Sequence, residues 1–419
     1  MVFKSKSAVW KRILFFPRLF LKIKAVFLRG IMRLTDFIPV DKSSAIRAFL
    51  FSLLTTEKVD IFCGEEELPQ DVLSAFNCLK SFGKIVELQN GKITVSGTAK
   101  TPEKPVDCGN SATMMHILMG IRQHFGWKFG LTGDESLMSR NHGDFEEAAE
   151  LYDGNFVETT LSKESAQLKS FHLLAMLKSG GKLHFKSRTR RNTEDFLLKM
   201  GAKIVEKPNS VEVFPVECLH GYSVKIKLDP SSAFIAVCTA LIFKKSFVIS
   251  DIYKDDSRMT PFHLLQNAGF DIQIKEDSDS FEISGNPICK EVHDINVKEN
   301  QIAEIIDEIP FIALMVAQAG RTFSVRNASW LRNKESDRIA ESVKRFSLLF
   351  ETEEFADGFT VYGAAKHALK GDIPHNLDHR MEMLSSLMAQ NSGVDFKMND
   401  SYKISFPKFY ELTEYLKND

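Results

Sequence analysis

A short pattern recurs along this chain and limits the folds open to it. A helix-like segment ends at a glycine, and two strand-like segments joined by a turn follow. Residues 194–200 read as a helix that stops at Gly201, and residues 203–214 then alternate as a strand pair around Pro208 and Asn209. Residues 261–268, Gly269 and residues 270–283 repeat the pattern, and residues 346–355 with 359–362 form another copy. Near the start, residues 58–63 and 85–96 read as strands, with a helix over 69–82 that ends before Gly83. Alternating helix and strand periods predict an α/β chain, and weak repeats of this size predict that it is built from similar units. The helix-like segments 165–177, 233–243 and 309–319 are apolar nearly all round, as in helices buried on every side. Asp229 suits the N-cap of the second of these, and Pro230 its first turn. A chain of 419 residues is long for one core, so two domains are expected.

Composition excludes several classes. With 44% hydrophobic and 26% charged residues the chain is ordinary globular material. Its six cysteines are scattered without a C-x-x-C pair, which fits reduced thiols in a cytoplasmic compartment and neither a disulfide framework nor a zinc site. Residues 1–33 hold nine Lys or Arg and no acid, leaving 45 basic against 55 acidic residues in the rest. An acidic body is a poor sequence-independent nucleic-acid binder and must gather its cations locally to hold an anion. The basic leader reads as an extension over 1–27. A membrane-surface amphipathic helix is the lesser reading, because Lys and Arg interleave there with Phe15, Phe16, Leu19 and Phe20. Pro17 and Arg18 interrupt the apolar run, against a secretory signal.

The densest charge lies at Asn333, Lys334, Glu335, Ser336, Asp337 and Arg338. Asp307, Glu308, Ile309 and Pro310 open an apolar segment just upstream. Charge beside a buried segment is costly unless it meets a ligand or other charges. With Asn333 as N-cap, a helix would carry Lys334 and Arg338 on one face beside free N–H groups, which makes an anion site. A solvated salt-bridged helix face is the plainer reading of such a string in isolation.

Eight strings in order reverse that preference. They are Asp41-Lys42-Ser43 with Arg47; Gly109-Asn110-Ser111-Ala112-Thr113; Leu131-Thr132-Gly133-Asp134 with Arg140; Ser165-Ala166-Gln167; Asp229-Pro230-Ser231-Ser232-Ala233; Asp307-Glu308-Ile309-Pro310; Lys334-Glu335-Ser336-Asp337-Arg338; and Asp378-His379-Arg380-Met381. Together they resemble the 5-enolpyruvylshikimate-3-phosphate synthase family over residues 28–412. The resemblance implies a two-domain enolpyruvyl transferase fold of repeated βαβαββ units, with parallel buried helices inside four-stranded sheets. One domain would comprise 28–39 plus 229–419 and the other 40–228, with crossings near 38–42 and 226–230 and the active site between them. The implied substrates are phosphoenolpyruvate and shikimate 3-phosphate, with no metal or organic cofactor, domain closure on binding, and a monomer.

The resemblance also assigns residues. Lys42, Asn110, Ala112, Arg140, Gln167, Arg338 and Arg380 would hold phosphoenolpyruvate. Lys42, Ser43, Arg47, Ser165, Ala166, Gln167, Ser187, Asp307 and Lys334 would hold shikimate 3-phosphate. Asp307, Glu335 and Lys42 would be catalytic, with Asp307 at the acceptor hydroxyl and Glu335 at the carbon end. Val40, Ala45, Ile46, His116, Asn141 and Glu382 depart from the usual pattern and leave a different anionic acceptor, or a non-catalytic binding protein, as alternatives. Ala112, where Gly is common, implies weakened inhibition by glyphosate.

Overall fold

The structure, a computed structural model, describes residues 31–64, 68–89, 91–186, 189–287 and 291–418. The basic segment 1–27, with both readings made of it, lies outside them.

The repeats are four copies of one βαβαββ unit. The first takes strand Ser223–Lys225, helix α1 (Lys42–Phe51), strand Val59–Phe62, helix α2 (Gln70–Cys78) and the hairpin Ile85–Gln89 with Lys92–Ser96. Helix α3 (Ala112–Phe125) follows, beside the two-stranded pair Val106–Asp107 and Leu131–Thr132. The second unit runs Val157–Thr160, α4 (Ala166–Met176), Gly181–His184, α5 (Asn192–Lys199), Ile204–Lys207 and Ser210–Val213. The third takes Ile31–Arg33, α6 (Pro230–Ile242), Ser246–Tyr253, α7 (Thr260–Asn267), Ile272–Glu276 and Ser280–Gly285. The fourth runs Ile295–Asn296, α8 (Ile309–Gln318), Thr322–Val325, α9 (Arg338–Phe346), Phe350–Phe355 and Gly358–Lys366. Helix α10 (His379–Ser392) follows it. In each sheet the first strand pairs parallel with the second, and the last strand pairs antiparallel with both the second and the third.

Local chemistry sets these boundaries. Residues 85–96, read as one strand, fold back as a hairpin in which Gly91 takes φ +68°. The helix expected over 69–82 is α-helical only to Cys78, then tightens into a 3₁₀ turn closed by Gly83 at φ +74°. Asp229 caps α6 by accepting from the Ser232 amide at 2.9 Å, with Pro230 in the first turn.

Two hydrophobic cores result. One gathers buried side chains between residues 40 and 226, the other Met32, Leu34 and Ile38 with side chains between 233 and 416. Helix α8 is buried along Ile309–Ala317, as its all-round apolar sequence requires. The chain passes between the cores twice, and the two passages bond to each other. Asp41 N–H donates to the Lys227 carbonyl at 2.7 Å, and Asp229 N–H to the Pro39 carbonyl at 2.9 Å. Among the described residues no helix is long and apolar enough to cross a membrane.

Candidate active site

Helix starts bring the charged strings together. Asp41 caps α1 through the Ser44 amide at 2.7 Å, placing Lys42 and Ser43 in its first turn. Ser165 caps α4 through the Leu168 amide at 3.4 Å, with Ala166 and Gln167 following. Asp378 caps α10 through the Arg380 amide at 2.9 Å. Gly133 allows a close turn beside Asn110, since a Cβ there would lie 2.5 Å from Leu137 Cδ2 and 2.6 Å from the Gly109 carbonyl oxygen. In that turn Asn110 Nδ2 donates to Asp134 at 2.6 Å, and Arg140 Nη2 donates to Asn110 Oδ1 at 2.8 Å.

The string 333–338 departs from expectation. Asn333 ends a 3₁₀ turn, Ser329–Asn333, and Lys334 is extended. The helix begins only at Arg338, with Asp337 as its N-cap. Asp337 wins because one of its carboxylate oxygens accepts from both the Ile339 and Ala340 amides, at 3.1 and 3.0 Å, while the other pairs with Arg332 at 2.7 Å. Lys334 and Glu335 therefore reach the site from a loop and share no helical face with Arg338.

Arg338 is the hub of the site. It is 1% exposed and donates to three carboxylates: Asp378 at 2.8 Å, Asp307 at 3.0 Å and Glu335 at 2.7 Å. Burial opposes its charge, but Asp378, Glu335 and Asp307 hold its pKa above the usual arginine value. Lys334 Nζ donates to Asp307 at 3.4 Å. Within this cluster, Arg140 reaches across from the other core to Glu335 at 4.0 Å and Arg190 to Asp307 at 3.7 Å. Arg380 stands 4.0 Å from Asp307. Burial raises the Asp307 pKa, yet Lys334, Arg380, Arg338 and Arg190 outweigh it and hold the group well below the carboxylate range. Glu335 is likewise held low, chiefly by Arg338 against its burial. Both acids are thus held in the ionised form. Arg140 Nε and Arg380 Nη1 are buried without a hydrogen-bond partner among the described residues. Buried guanidinium donors left unmade are a standing cost that an anion can relieve.

The remaining expected residues are distributed around this cluster. Lys42 Nζ bonds Asp71 of α2 at 2.9 Å; burial lowers its pKa, but Asp71 restores it above the usual lysine value. Gln167 lies between Thr113 Oγ1 at 3.1 Å and His116 Nδ1 at 2.8 Å. His116 Nε2 meets His142 Nδ1 at 2.9 Å, and His142 Nε2 meets the Leu137 carbonyl at 3.0 Å. The Gln167 atom that faces His116 is its amide oxygen, which can only accept, so His116 donates through Nδ1 and its Nε2 accepts from His142. Burial pushes the His116 pKa down to about 3, which keeps the ring neutral. Arg47 is buried and donates to Thr193 at 2.8 Å, Ser170 at 2.9 Å and the Ser43 carbonyl at 2.9 Å. Burial draws its pKa down to about 10, still charged at neutral pH. Ala112 opens α3 directly after its N-cap, Ser111. Ser187 lies outside the described residues. A separate cleft of about 530 Å³ follows the crossovers beside Val40, Phe62, Lys225 and Leu228 and does not include this cluster.

Sequence reasoning did not assign Asp71, Arg190 or Asp378. Asp378 could have been found, because it stands two residues before Arg380 at a helix start. Nothing local marks Asp71 or Arg190 as site residues.

Four βαβαββ units around two cores, with an anion-hungry cluster drawn from both, define a two-domain enolpyruvyl transferase fold. A solved EPSP synthase from Acinetobacter baumannii has this fold, with a TM-score of 0.75 and 23% identity over 92% of this chain and 96% of that one. The family profile of EPSP synthase (3-phosphoshikimate 1-carboxyvinyltransferase) matches residues 32–141 and 146–412, and the chain belongs to that family. It is 31% identical to the 3-phosphoshikimate 1-carboxyvinyltransferase of Nitratiruptor sp. over 91% of this chain and 94% of that protein. It is 30% identical to the Helicobacter pylori protein of the same name over 91% of this chain and 97% of that protein.

Proposed function

We propose that this chain transfers the enolpyruvyl group of phosphoenolpyruvate to the 5-hydroxyl of shikimate 3-phosphate and releases inorganic phosphate. The observation that carries the reading is the pairing of two ionised acids with cations from both cores, beside two buried guanidinium nitrogens without partners among the described residues. Phosphoenolpyruvate would lie among Lys42, Asn110, Ala112, Arg140, Gln167, Arg338 and Arg380. Shikimate 3-phosphate would lie against Lys42, Ser43, Arg47, Ser165, Ala166, Gln167, Ser187, Asp307 and Lys334. Arg suits a bidentate grip on phosphate and carboxylate, while Lys42 acts as a compact charge.

Asp307 accepts the proton of the acceptor hydroxyl as its oxygen bonds to C2 of phosphoenolpyruvate. Glu335 delivers a proton to the methylene carbon, giving a tetrahedral intermediate. Glu335 then takes a proton back as the C–O bond to phosphate breaks and the double bond re-forms, and the hydroxyl proton held by Asp307 leaves with the phosphate. Arg338 and its other cation neighbours hold Glu335 ionised, so it must gain a proton before it can deliver one. Anionic ligands supply the means by competing for Arg338 and Arg140, which raises its pKa. Lys42 and Lys334 steady the developing charge.

The division we propose follows the crossings: 28–39 plus 229–419 as one domain, 40–228 as the other, closing on their ligands as a monomer. Free thiols at Cys63, Cys78, Cys108, Cys218 and Cys238 support a cytoplasmic setting. Phosphate release is the test. It should require phosphoenolpyruvate and shikimate 3-phosphate together. Release only with another hydroxy acid would reassign the acceptor, and binding without release would leave a binding protein.

A further inference from the structure

The charges that meet where the chain passes between the cores do not belong to the ligand ring. Arg258 ends a 3₁₀ turn, Asp256–Arg258, and its neighbours Met259 and Phe262 pack in the core that holds α6 and α8. Its side chain is 4% exposed and reaches across both passages. Nη1 donates to Asp41 Oδ2 at 3.0 Å, and Nη2 to Ser231 Oγ at 2.9 Å and Asp229 Oδ1 at 3.5 Å. Both aspartates are buried, and both are helix caps. Asp41 uses its other oxygen to cap α1, which belongs to the opposite core. Asp229 caps α6 and, through Oδ2, accepts the backbone N–H of Lys42 at 3.3 Å.

One guanidinium thus holds two caps, and one of those caps holds the main chain of Lys42. Without Arg258, two carboxylates would stand buried side by side, and their repulsion would part the helix starts they cap. The planar fork reaches the two carboxylates through separate nitrogens, whereas an ammonium would have to span them from one.

The geometry points to Arg258 as a positioning residue that fixes the start of α1, and with it Lys42, against the core carrying Asp307, Arg338 and Arg380. It touches neither substrate. The inference rests on the enolpyruvyl transfer reading and adds a selective consequence. Of the expected acceptor contacts, Lys42, Ser43, Arg47, Ser165, Ala166 and Gln167 lie on one core's helices, and Asp307 and Lys334 come from the other side. The expected phosphoenolpyruvate contacts are divided, with Arg140 on one side and Arg338 and Arg380 on the other. The neutral and backbone groups that hold most of the acceptor stay on one core, so loosening the knot weakens phosphoenolpyruvate more than shikimate 3-phosphate.

Two variants of the full chain test this by calorimetry and steady-state kinetics. Arg258→Lys keeps a buried cation but loses the fork. The double variant Arg258→Met with Asp41→Asn strands no paired carboxylates and leaves an amide oxygen to cap α1. In each, the KM for phosphoenolpyruvate should rise at least tenfold, while shikimate 3-phosphate alone binds within twofold of wild type. Equal losses for both ligands, or an unchanged phosphoenolpyruvate KM in either folded variant, would overturn the inference. A wild-type chain that binds neither ligand would remove the functional reading itself, and this inference with it.

Discussion

Glu335 and Asp307 owe their state to their neighbours more than to their own chemistry. Each is a half-buried carboxylate, whose desolvation alone would favour the neutral form, yet Arg338 bonds both and a cation from the opposite core stands by each. Replacing Glu335 with Gln keeps shape and hydrogen bonding but removes the proton carrier. Glu335→Gln should bind both substrates and release phosphate at least ~100-fold more slowly, within the usual range for lost acid–base catalysis. Near-normal turnover in a phosphate-release assay would require another proton donor. The resemblance named Lys42, Arg140, Asp307, Glu335, Arg338 and Arg380, and the fold brings them together. Their charge partners were not legible. Asp71, which holds Lys42, sits in an ordinary amphipathic helix, and Arg190 sits in a basic stretch that reads as surface. Such residues acquire meaning only from what folds against them.

Among the elements, periodicity gave the reliable signals. The segments apolar all round became α4, α6 and α8, and the helix, glycine and hairpin repeat became the second half of each unit. Competition between nearby caps was not legible. Asn333 and Asp337 are both good cap residues, and only the paired amides of Ile339 and Ala340, with Arg332 across from them, decide for Asp337. The first strands of two units were also out of reach, because Ser223–Lys225 and Ile31–Arg33 lie far in sequence from the helices they join. At the start of α3, Ala112 places a methyl group where the chain turns into the helix. Glyphosate, longer than phosphoenolpyruvate, should be crowded by it. The Ala112→Gly variant should be inhibited at about tenfold lower glyphosate, the scale of one methylene in a tight pocket. An inhibition constant no lower than the parent's would count against that placement.

Across the whole molecule, stability and binding draw on the same charges. The pKa values of Asp307 and Glu335 in the folded protein lie below those of an unfolded chain, about 3.9 and 4.3. Their contribution is therefore fully present above about pH 5 and is lost as pH falls towards the folded values, at roughly 1–3 kcal/mol per group. The Tm of the ligand-free protein should stay level from pH 7 to about 5 and then fall. The fall should be shallower in the Asp307→Asn, Glu335→Gln double variant, and a Tm that rises on acidification would contradict the sign. The most direct test of the account is phosphoenolpyruvate binding to Glu335→Gln, titrated with and without shikimate 3-phosphate. If cations from both cores make one pocket, the acceptor should tighten phosphoenolpyruvate at least tenfold, about 1.4 kcal/mol of coupling. Equal affinity in its presence and absence, or no binding at all, would contradict it.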